Sequence, residues 1–291
     1  KIIMIDVDKT ELDKFEEKGL NIDLKINDDL GRIKNLSLSN IYKEFTTDFN
    51  SWLKQIKQWK DKFDLKDTNY RNKETYNVNP YKFFSKLSDR ITKKTNVVFD
   101  TGCSLAWGMQ SFKCKTHIRT YHDFNNTAMG WAIPASIGSH FASPNSQVIC
   151  ITGDGSFMMS LHELAVIKKH NIPVKIFLFN NSGYSMIQQT QDQWLNSNYF
   201  ASSPEGGLDF PDYRSISEAF DLKYFLIDED LDLDSKICDV LSSEKPCLCN
   251  IIISPKMRVI PQVKAGKPNE DMEPALKENE FINEMLISQF D

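Results

Sequence analysis

No stretch of this sequence is apolar for long enough to span a bilayer, and its opening residues form no signal-peptide pattern. The expectation is a cytoplasmic protein with no membrane partner. Basic residues are outnumbered, 35 Lys and Arg against 40 Asp and Glu, for a net charge of −5. With no basic face to neutralise phosphates, a nucleic-acid partner is not expected either. Cysteine is sparse, and none of Cys103, Cys114, Cys150, Cys238, Cys247 and Cys249 forms a Cys-x-x-Cys pair. All six read as reduced core or near-core residues, with Cys247 and Cys249 on one face of a strand. Internal repeats and low-complexity tracts are missing as well. What remains is ordinary globular composition, 41% hydrophobic and 26% charged over 291 residues, enough for one to two domains.

Two matched stretches stand out. Val148-Ile149-Cys150-Ile151-Thr152-Gly153-Asp154-Gly155-Ser156-Phe157 and Phe177-Leu178-Phe179-Asn180-Asn181-Ser182-Gly183-Tyr184 each run apolar and then turn small and polar. Such runs, bounded by turn formers, read as buried parallel strands. In an open parallel sheet a ligand sits beyond the carboxyl ends of the strands. Asp154 and Asn181 fall at two such ends, 27 positions apart, with room between them for a helix and a strand. Gly153 and Gly155 let the backbone turn sharply and come close to a ligand. A helix starting at Ser156 aims its free N–H groups into the same crevice. One carboxylate and one amide oxygen make an oxygen-only set suited to Mg²⁺, which takes its remaining ligands from water and phosphates. The pattern is that of a metal-bridged diphosphate site.

Along the chain, Ile2–Asp8 reads as a buried strand, Lys9–Glu17 as a helix and Asn21–Lys25 as a short strand. Leu36–Trp59 reads as a helix, with Ser37 or Ser39 at its start and Ile41, Phe45, Phe49, Trp52, Leu53, Ile56 and Trp59 at steps near three and four. The polar stretch from Lys60 to Asn79 reads as a helix end and linker. Tyr81–Lys93 is an amphipathic helix with Phe84, Leu87 and Ile91 inward, and Asn96–Asp100 is a strand ending in Thr101-Gly102-Cys103-Ser104. A helix follows in the stretch from Tyr121 to Ala142, capped by Asn126 and Thr127. The helix after Asp154 buries Phe157, Leu161, Leu164, Ala165 and Ile167 and turns His162 and Glu163 outward. Ile216, Ala219 and Phe220 form the inner face of a later helix, and Cys247–Ile253 is the last strand. The chain opens at Lys1 directly into a strand with nothing before it to pair with, so a further N-terminal portion is expected.

The Gly-Asp-Gly of the first stretch and the Asn-Asn of the second resemble the signature of thiamine-diphosphate enzymes, most closely their acetolactate synthase-like branch. The resemblance extends over most of the chain. It implies an α/β fold, a doubly wound and mostly parallel sheet, preceded by the tail of a second α/β domain. The implied division is the end of a central domain over 1–60, a linker over 61–79, a pyrophosphate-binding domain over 80–253 and a tail over 254–291. The implied cofactors are thiamine diphosphate and Mg²⁺, the cation held by Asp154, Asn181 and the Gly183 carbonyl. Gly102, Cys103 and Ser104, with Gly153, Gly155 and Ser156, then cradle the diphosphate. Thr127, Ala128, Tyr184, Ser185 and Ile187 are further cofactor contacts. Met129 props the cofactor in its bent form, and Met186 lines thiazolium and substrate; these two are the implied catalytic positions.

The implied reaction is decarboxylation of a 2-oxo acid, with capture of the product fragment by a proton or by a second carbonyl. The implied partner is a pyrimidine-binding domain, from a second subunit or from a segment upstream, carrying a Glu that activates the cofactor. A homodimer or homotetramer follows, and the 291 residues alone are expected to be inactive. Two departures stand out, the first in the diphosphate loop and the second in the acceptor pocket. Cys103-Ser104 stands where a His is common, and Thr190 stands where a Trp is common four residues after Met186. Two other classes stay open. Asp6-Val7-Asp8-Lys9-Thr10 resembles the nucleophile loop of haloacid-dehalogenase-type phosphatases, with Asp6 attacking and Asp8 as acid/base. Alternatively, the chain is a non-catalytic cofactor-binding or partner subunit.

Overall fold

The central strands are apolar at both odd and even positions, which commits their sheet to burial on both faces. The structure is a computed structural model that describes residues 2–16, 19–33, 49–63, 77–264, 266–267 and 269–285. It divides into two units, one up to Phe63 and one from Asp64 onward.

In the first unit β1 (Ile3–Asp6) pairs in parallel with β2 (Leu24–Asn27), and α1 (Lys9–Asp13), α2 (Leu30–Ile33) and α3 (Asn50–Lys62) complete the described elements. β1 was expected to be buried, yet Ile3 is 61% exposed, because among the described residues its sheet has two strands and one paired side. The expected strand at 21–25 lies a few residues later, at β2. Asp8 caps α1 by accepting from the Thr10 amide and hydroxyl, and Asp6 accepts from the Asp8 amide at 2.8 Å. Those two hydrogen bonds to Thr10 hold the Asp8 carboxyl below its usual range. Of the helix expected over 36–59 only the part from Asn50 is described; Ser37, Ser39, Ile41 and Phe45 lie outside the described residues, as does most of the 61–79 linker.

The second unit is a six-stranded sheet. Its elements are α4 (Pro80–Arg90), β3 (Thr95–Phe99), α5 (Cys103–Ser111), β4 (Ile118–His122), α6 (Ala132–Ala142), β5 (Gln147–Gly153), α7 (Asp154–Met159), α8 (Leu164–His170), β6 (Lys175–Asn180), α9 (Ser185–Trp194), α10 (Tyr213–Ala219), β7 (Lys223–Ile227), α11 (Leu233–Ser242) and β8 (Cys247–Ile252). The short pair β9 (Gln262–Val263) and β10 (Met272–Glu273) and α12 (Glu278–Glu284) follow. The order is β4-β3-β5-β6-β8-β7 and every pairing is parallel, so the doubly wound expectation holds. From β3 the chain winds outward to β4 on one side, and from β5 to β6 on the other. The gap between the ends of β3 and β5 is therefore the switch point, where ligands bind in such sheets.

Two cores cover the two faces. Val97, Phe99, Ile149, Ile151, Phe177, Phe179, Cys247 and Cys249 point to the side of α4, α5 and α11. Val98, Val148, Cys150, Ile176, Leu178 and Leu248 point to the side of α6, α8 and α10. Cys247 and Cys249 share a face as expected, while Cys114 and Cys238 are exposed rather than near the core; all six thiols are free. α4 starts on Asn79, whose Oδ1 accepts from the Tyr81 and Lys82 amides, with Pro80 at the first helical position. It delivers Phe83 and Phe84 onto the sheet, where the Phe84 ring stacks on Phe179 at 5.0 Å.

Other expectations shift in register. Asn126 and Thr127 do not cap α6, which starts six residues later at Trp131–Ala132, because Thr127 and Gly130 take left-handed conformations that no helix accepts. The helix after Asp154 breaks at Ser160 into α7, a 3₁₀ turn and α8, and this leaves Ala165 exposed. On α10 the buried positions are Tyr213 and Ser217 rather than Ala219. Replacing the fully buried Phe84 by Ala is expected to cost about 3–5 kcal/mol of stability by cavity formation. Urea denaturation of the full chain reads this directly, and a loss under about 1 kcal/mol would place the ring outside the core's essential packing.

Candidate functional site

Three loops meet at the switch point. The first leaves β3 as Thr101-Gly102-Cys103-Ser104. Gly102 has φ +91, a conformation that asks for glycine, and it opens α5 with no side-chain cap. The first-turn N–H groups of α5 lack helical partners and line the crevice, the arrangement that takes an anion. Burial pushes the Cys103 thiol up to about 12, so it sits here as a small neutral side chain.

The second and third loops leave β5 and β6, adjacent strands with Gly153 opposite Phe179. Asp154 is 2% exposed. Its Oδ1 accepts from Gly155 N at 2.8 Å, and its Oδ2 from Asn181 N at 3.2 Å and Gly183 N at 3.1 Å. Burial pushes the carboxyl up from 3.8 to about 7 against the pull of these donors. The Asn181 amide meets the Ser185 hydroxyl on one side. Its other terminal atom lies 2.8 Å from Gly183 O and 3.3 Å from Asp154 Oδ2. With nitrogen there, the amide donates to both oxygens. With oxygen there, three oxygens converge, a cluster that a cation would make favourable. One carboxylate, one amide and one carbonyl form a hard donor set of the kind Mg²⁺ takes.

Met129 enters between these loops on a turn flanked by Thr127 at φ +50 and Gly130 at φ +86. A Cβ on Gly155 would strike the Tyr184 ring and come within 3.1 Å of Met129 Cε, so the glycine is what lets both side chains close over the loop. One on Gly183 would meet Ser202 O at 2.7 Å. The cavity these loops enclose is about 640 Å³. Gly102, Cys103, Ser104, Thr127, Met129, Gly153, Asp154, Gly155, Ser156, Asn181, Gly183, Tyr184, Ser185, Met186 and Ile187 all line it. Ala128 alone of the expected cofactor positions does not. Thr190 also lies off the lining, its hydroxyl donating back to Met186 O at 3.2 Å. His162 is exposed beside Glu163 and belongs to the surface.

Several wall residues escaped the sequence reading. Leu105, Trp107, Met109 and Gln110 on α5 line the cavity, as does Phe124. For α5 the signal was the helix itself, whose first two turns continue the cradle; Phe124 sits in an irregular loop that carried none. Asp100 was read only as a strand end, yet it is 1% exposed. It accepts from Thr101 N, Gly130 N and Ala132 N, each at 3.0 Å. Burial raises its carboxyl against those donors. Among the described residues no three His, Cys, Asp or Glu side chains cluster as a metal site.

Comparison with known proteins agrees with this geometry. Residues 100–251, over half of the chain, match the family described as thiamine pyrophosphate enzyme, C-terminal TPP binding domain. The acetolactate synthase large subunit of Porphyra purpurea is 26% identical over 275 residues, covering 94% of this chain and 45% of that protein. That of Cyanidium caldarium is 29% identical over 276 residues, with 94% and 45% covered. Acetolactate synthase 2, chloroplastic, of Zea mays is 28% identical over 279 residues, with 94% and 42% covered. The chain spans less than half the length of these relatives. With a phosphate-ready helix start and a cation-ready oxygen cluster facing each other at the switch point, the chain belongs to the thiamine pyrophosphate enzymes and carries their C-terminal TPP-binding domain.

Proposed function

We propose that this chain supplies the diphosphate- and metal-binding half of an enzyme that decarboxylates a 2-oxo acid and transfers the remaining fragment to a proton or a second carbonyl. The observation that carries the reading is the convergence of Asp154 Oδ2, the Asn181 amide and Gly183 O at the mouth of the α5 cradle. Mg²⁺ is held there through oxygens of Asp154, Asn181 and Gly183, with the remaining ligands from phosphate and water. The amides at the starts of α5 and α7 take the diphosphate oxygens. Met129, Met186 and Ile187 hold the ring system, their partly exposed apolar faces turned to the cavity. When bound, thiamine diphosphate provides the nucleophilic carbon and the electron sink for this chemistry, while the protein provides position and electrostatics. The complementary half is a pyrimidine-binding domain, from a second copy in a homodimer or homotetramer or from an upstream segment, in a cytoplasmic enzyme.

Given thiamine diphosphate, Mg²⁺ and a panel of 2-oxo acids, the full-length protein is expected to release CO₂ only when both cofactors are present. Acetolactate from pyruvate is expected to form slowly, because Thr190 replaces the Trp common in the acceptor pocket of the acetolactate synthase-like branch. Rapid acetolactate formation would overturn that specificity, and no CO₂ from any 2-oxo acid would overturn the reaction.

Asp154→Ala is expected to weaken Mg²⁺-dependent thiamine diphosphate binding by about 100-fold or more, since even outer partners of a metal site are worth about 10–100-fold. Titration calorimetry in excess Mg²⁺ checks it, and parental affinity in the variant would remove Asp154 from the metal site.

The raised Asp154 carboxyl gives a pH dependence. A proton and the cation compete for the same oxygens, so Mg²⁺-dependent cofactor affinity should fall about tenfold per unit as pH drops below about 7 and level off above it. In the cation-free protein the same group acts on stability. The unfolded chain ionises near 3.8 and the folded one near about 7, so this contribution is present below the lower value and lost as pH rises through the higher. Affinity flat between pH 6 and 8 would contradict this assignment.

A further inference from the structure

Asp100 holds a second buried carboxylate beside the site; it is no ligand of the cation cluster, and it meets the diphosphate cradle through the Thr101 amide and the Ser156 hydroxyl. Its oxygens gather groups from three segments. Thr101 N, at the start of the cradle, and Gly130 N both reach Oδ1 at 3.0 Å. Ala132 N reaches Oδ2 at 3.0 Å, and the Thr152 hydroxyl, two residues before Asp154, lies 3.4 Å from the same oxygen and 3.2 Å from Gly153 O, sharing its hydrogen between them. Bonds to a buried ionised acceptor are the strong kind, and leaving such an acceptor unmet is costly. Gly130 and Ala132 bracket the end of the turn that carries Met129. That turn is under strain, because Thr127 is β-branched and sits at φ +50, a conformation that persists only when its surroundings over-determine it. Thr127 N is tied to Asp123 O at 2.7 Å on the outer side, and Asp100 supplies the tie on the inner side.

We propose that Asp100 is a positioning residue of the cofactor site: its buried carboxylate clamps the Thr127–Gly130 turn and so fixes Met129 above Gly155. This rests on the reading of the crevice as a thiamine diphosphate site. Asp100 itself touches neither the reacting atoms nor the cation. Through Gly130 N and Ala132 N it acts more on the part of the cofactor that Met129 supports than on the diphosphate, which the α5 cradle and the oxygen cluster hold.

The test separates those two parts. In the full chain with Mg²⁺, the affinities of thiamine diphosphate and of inorganic pyrophosphate are measured by quenching of tryptophan fluorescence, Trp107 lying in the cavity wall. Asp100→Asn keeps the shape but removes one acceptor oxygen. It is expected to weaken thiamine diphosphate about tenfold or more and to leave pyrophosphate within about twofold. Met129→Ala should lose affinity in the same selective way, and the double variant should lose no more than Met129→Ala alone, since both act through one side chain. Should Asp100→Asn not fold, Thr152→Val, which deletes one hydroxyl donor at nearly constant volume, is expected to show the same selectivity at about threefold. Equal losses for both ligands, or additive losses in the double variant, would overturn the clamp. A parent protein that binds pyrophosphate but not thiamine diphosphate would instead overturn the cofactor reading beneath it.

Discussion

A carboxylate at the closed end of an apolar sheet loses its hydration, and the site is arranged around that constraint at Asp154. Desolvation favours the neutral acid, while the amides of Gly155, Asn181 and Gly183 favour the charged one, and the balance comes out near neutrality. A cation shifts it decisively. With the Asn181 amide oxygen turned toward Gly183 O, a cation would make ligands of both and the buried charge an asset. The glycines follow from the same demand. Gly155 and Gly183 are small because a side chain on either would meet Tyr184, Met129 or the Ser202 carbonyl, and the loops could not close to ligand distance.

The two sides of the crevice carry opposite polarity. The end of β3 offers unpaired amides at the start of α5, and the ends of β5 and β6 offer oxygens. A diphosphate alone would suit the first and repel the second, and a cation alone would do the reverse. A diphosphate and a cation together would satisfy both. This works only if the strands hold register, since the oxygens come from two neighbours in the sheet. The Phe83, Phe84 and Phe179 cluster beneath the loops supplies that rigidity: Phe179 contributes both to the aromatic stack and to the cavity wall.

The central strands and their ends were legible because burial on both faces leaves near-continuous apolar runs, and because Gly-Asp-Gly and Asn-Asn punctuate them. β4 was not, since Ile118–His122 lies at the sheet edge and reads polar, with Ile118 alone fully buried. β7 was missed for the same reason: it closes the opposite edge and is buried mainly at Ile227. The turn before α6 escaped because nothing in Asn126-Thr127-Ala128-Met129 announces a left-handed residue; Thr is among the residues least suited to one. Asp100 escaped because sequence cannot distinguish a charged residue that ends a strand at the surface from one that anchors three segments in the interior.

Those failures of local reading fall in a pattern. Most left-handed non-glycine residues serve ordinary ends and turns, as Asn171 does at the end of α8. Two sit inside the site: Thr127, before Met129, and Ser182, between Asn181 and Gly183. Ser182 at φ +54 is steadied by the Asn180 carboxamide, which accepts its N–H at 3.1 Å. Thr127 at φ +50 is held by its own N–H on Asp123 O at 2.7 Å, and the turn it opens is tied at its far end by Asp100 through Gly130 N and Ala132 N. Local preference is broken beside the Gly183 carbonyl of the oxygen cluster and beside the methionine that lines the cavity. Neither can be presented by a relaxed helix or strand, whose groups are spent on their own ladder. Strain held by a rigid sheet is the physical route by which this fold aims a backbone oxygen on one side and an apolar side chain on the other.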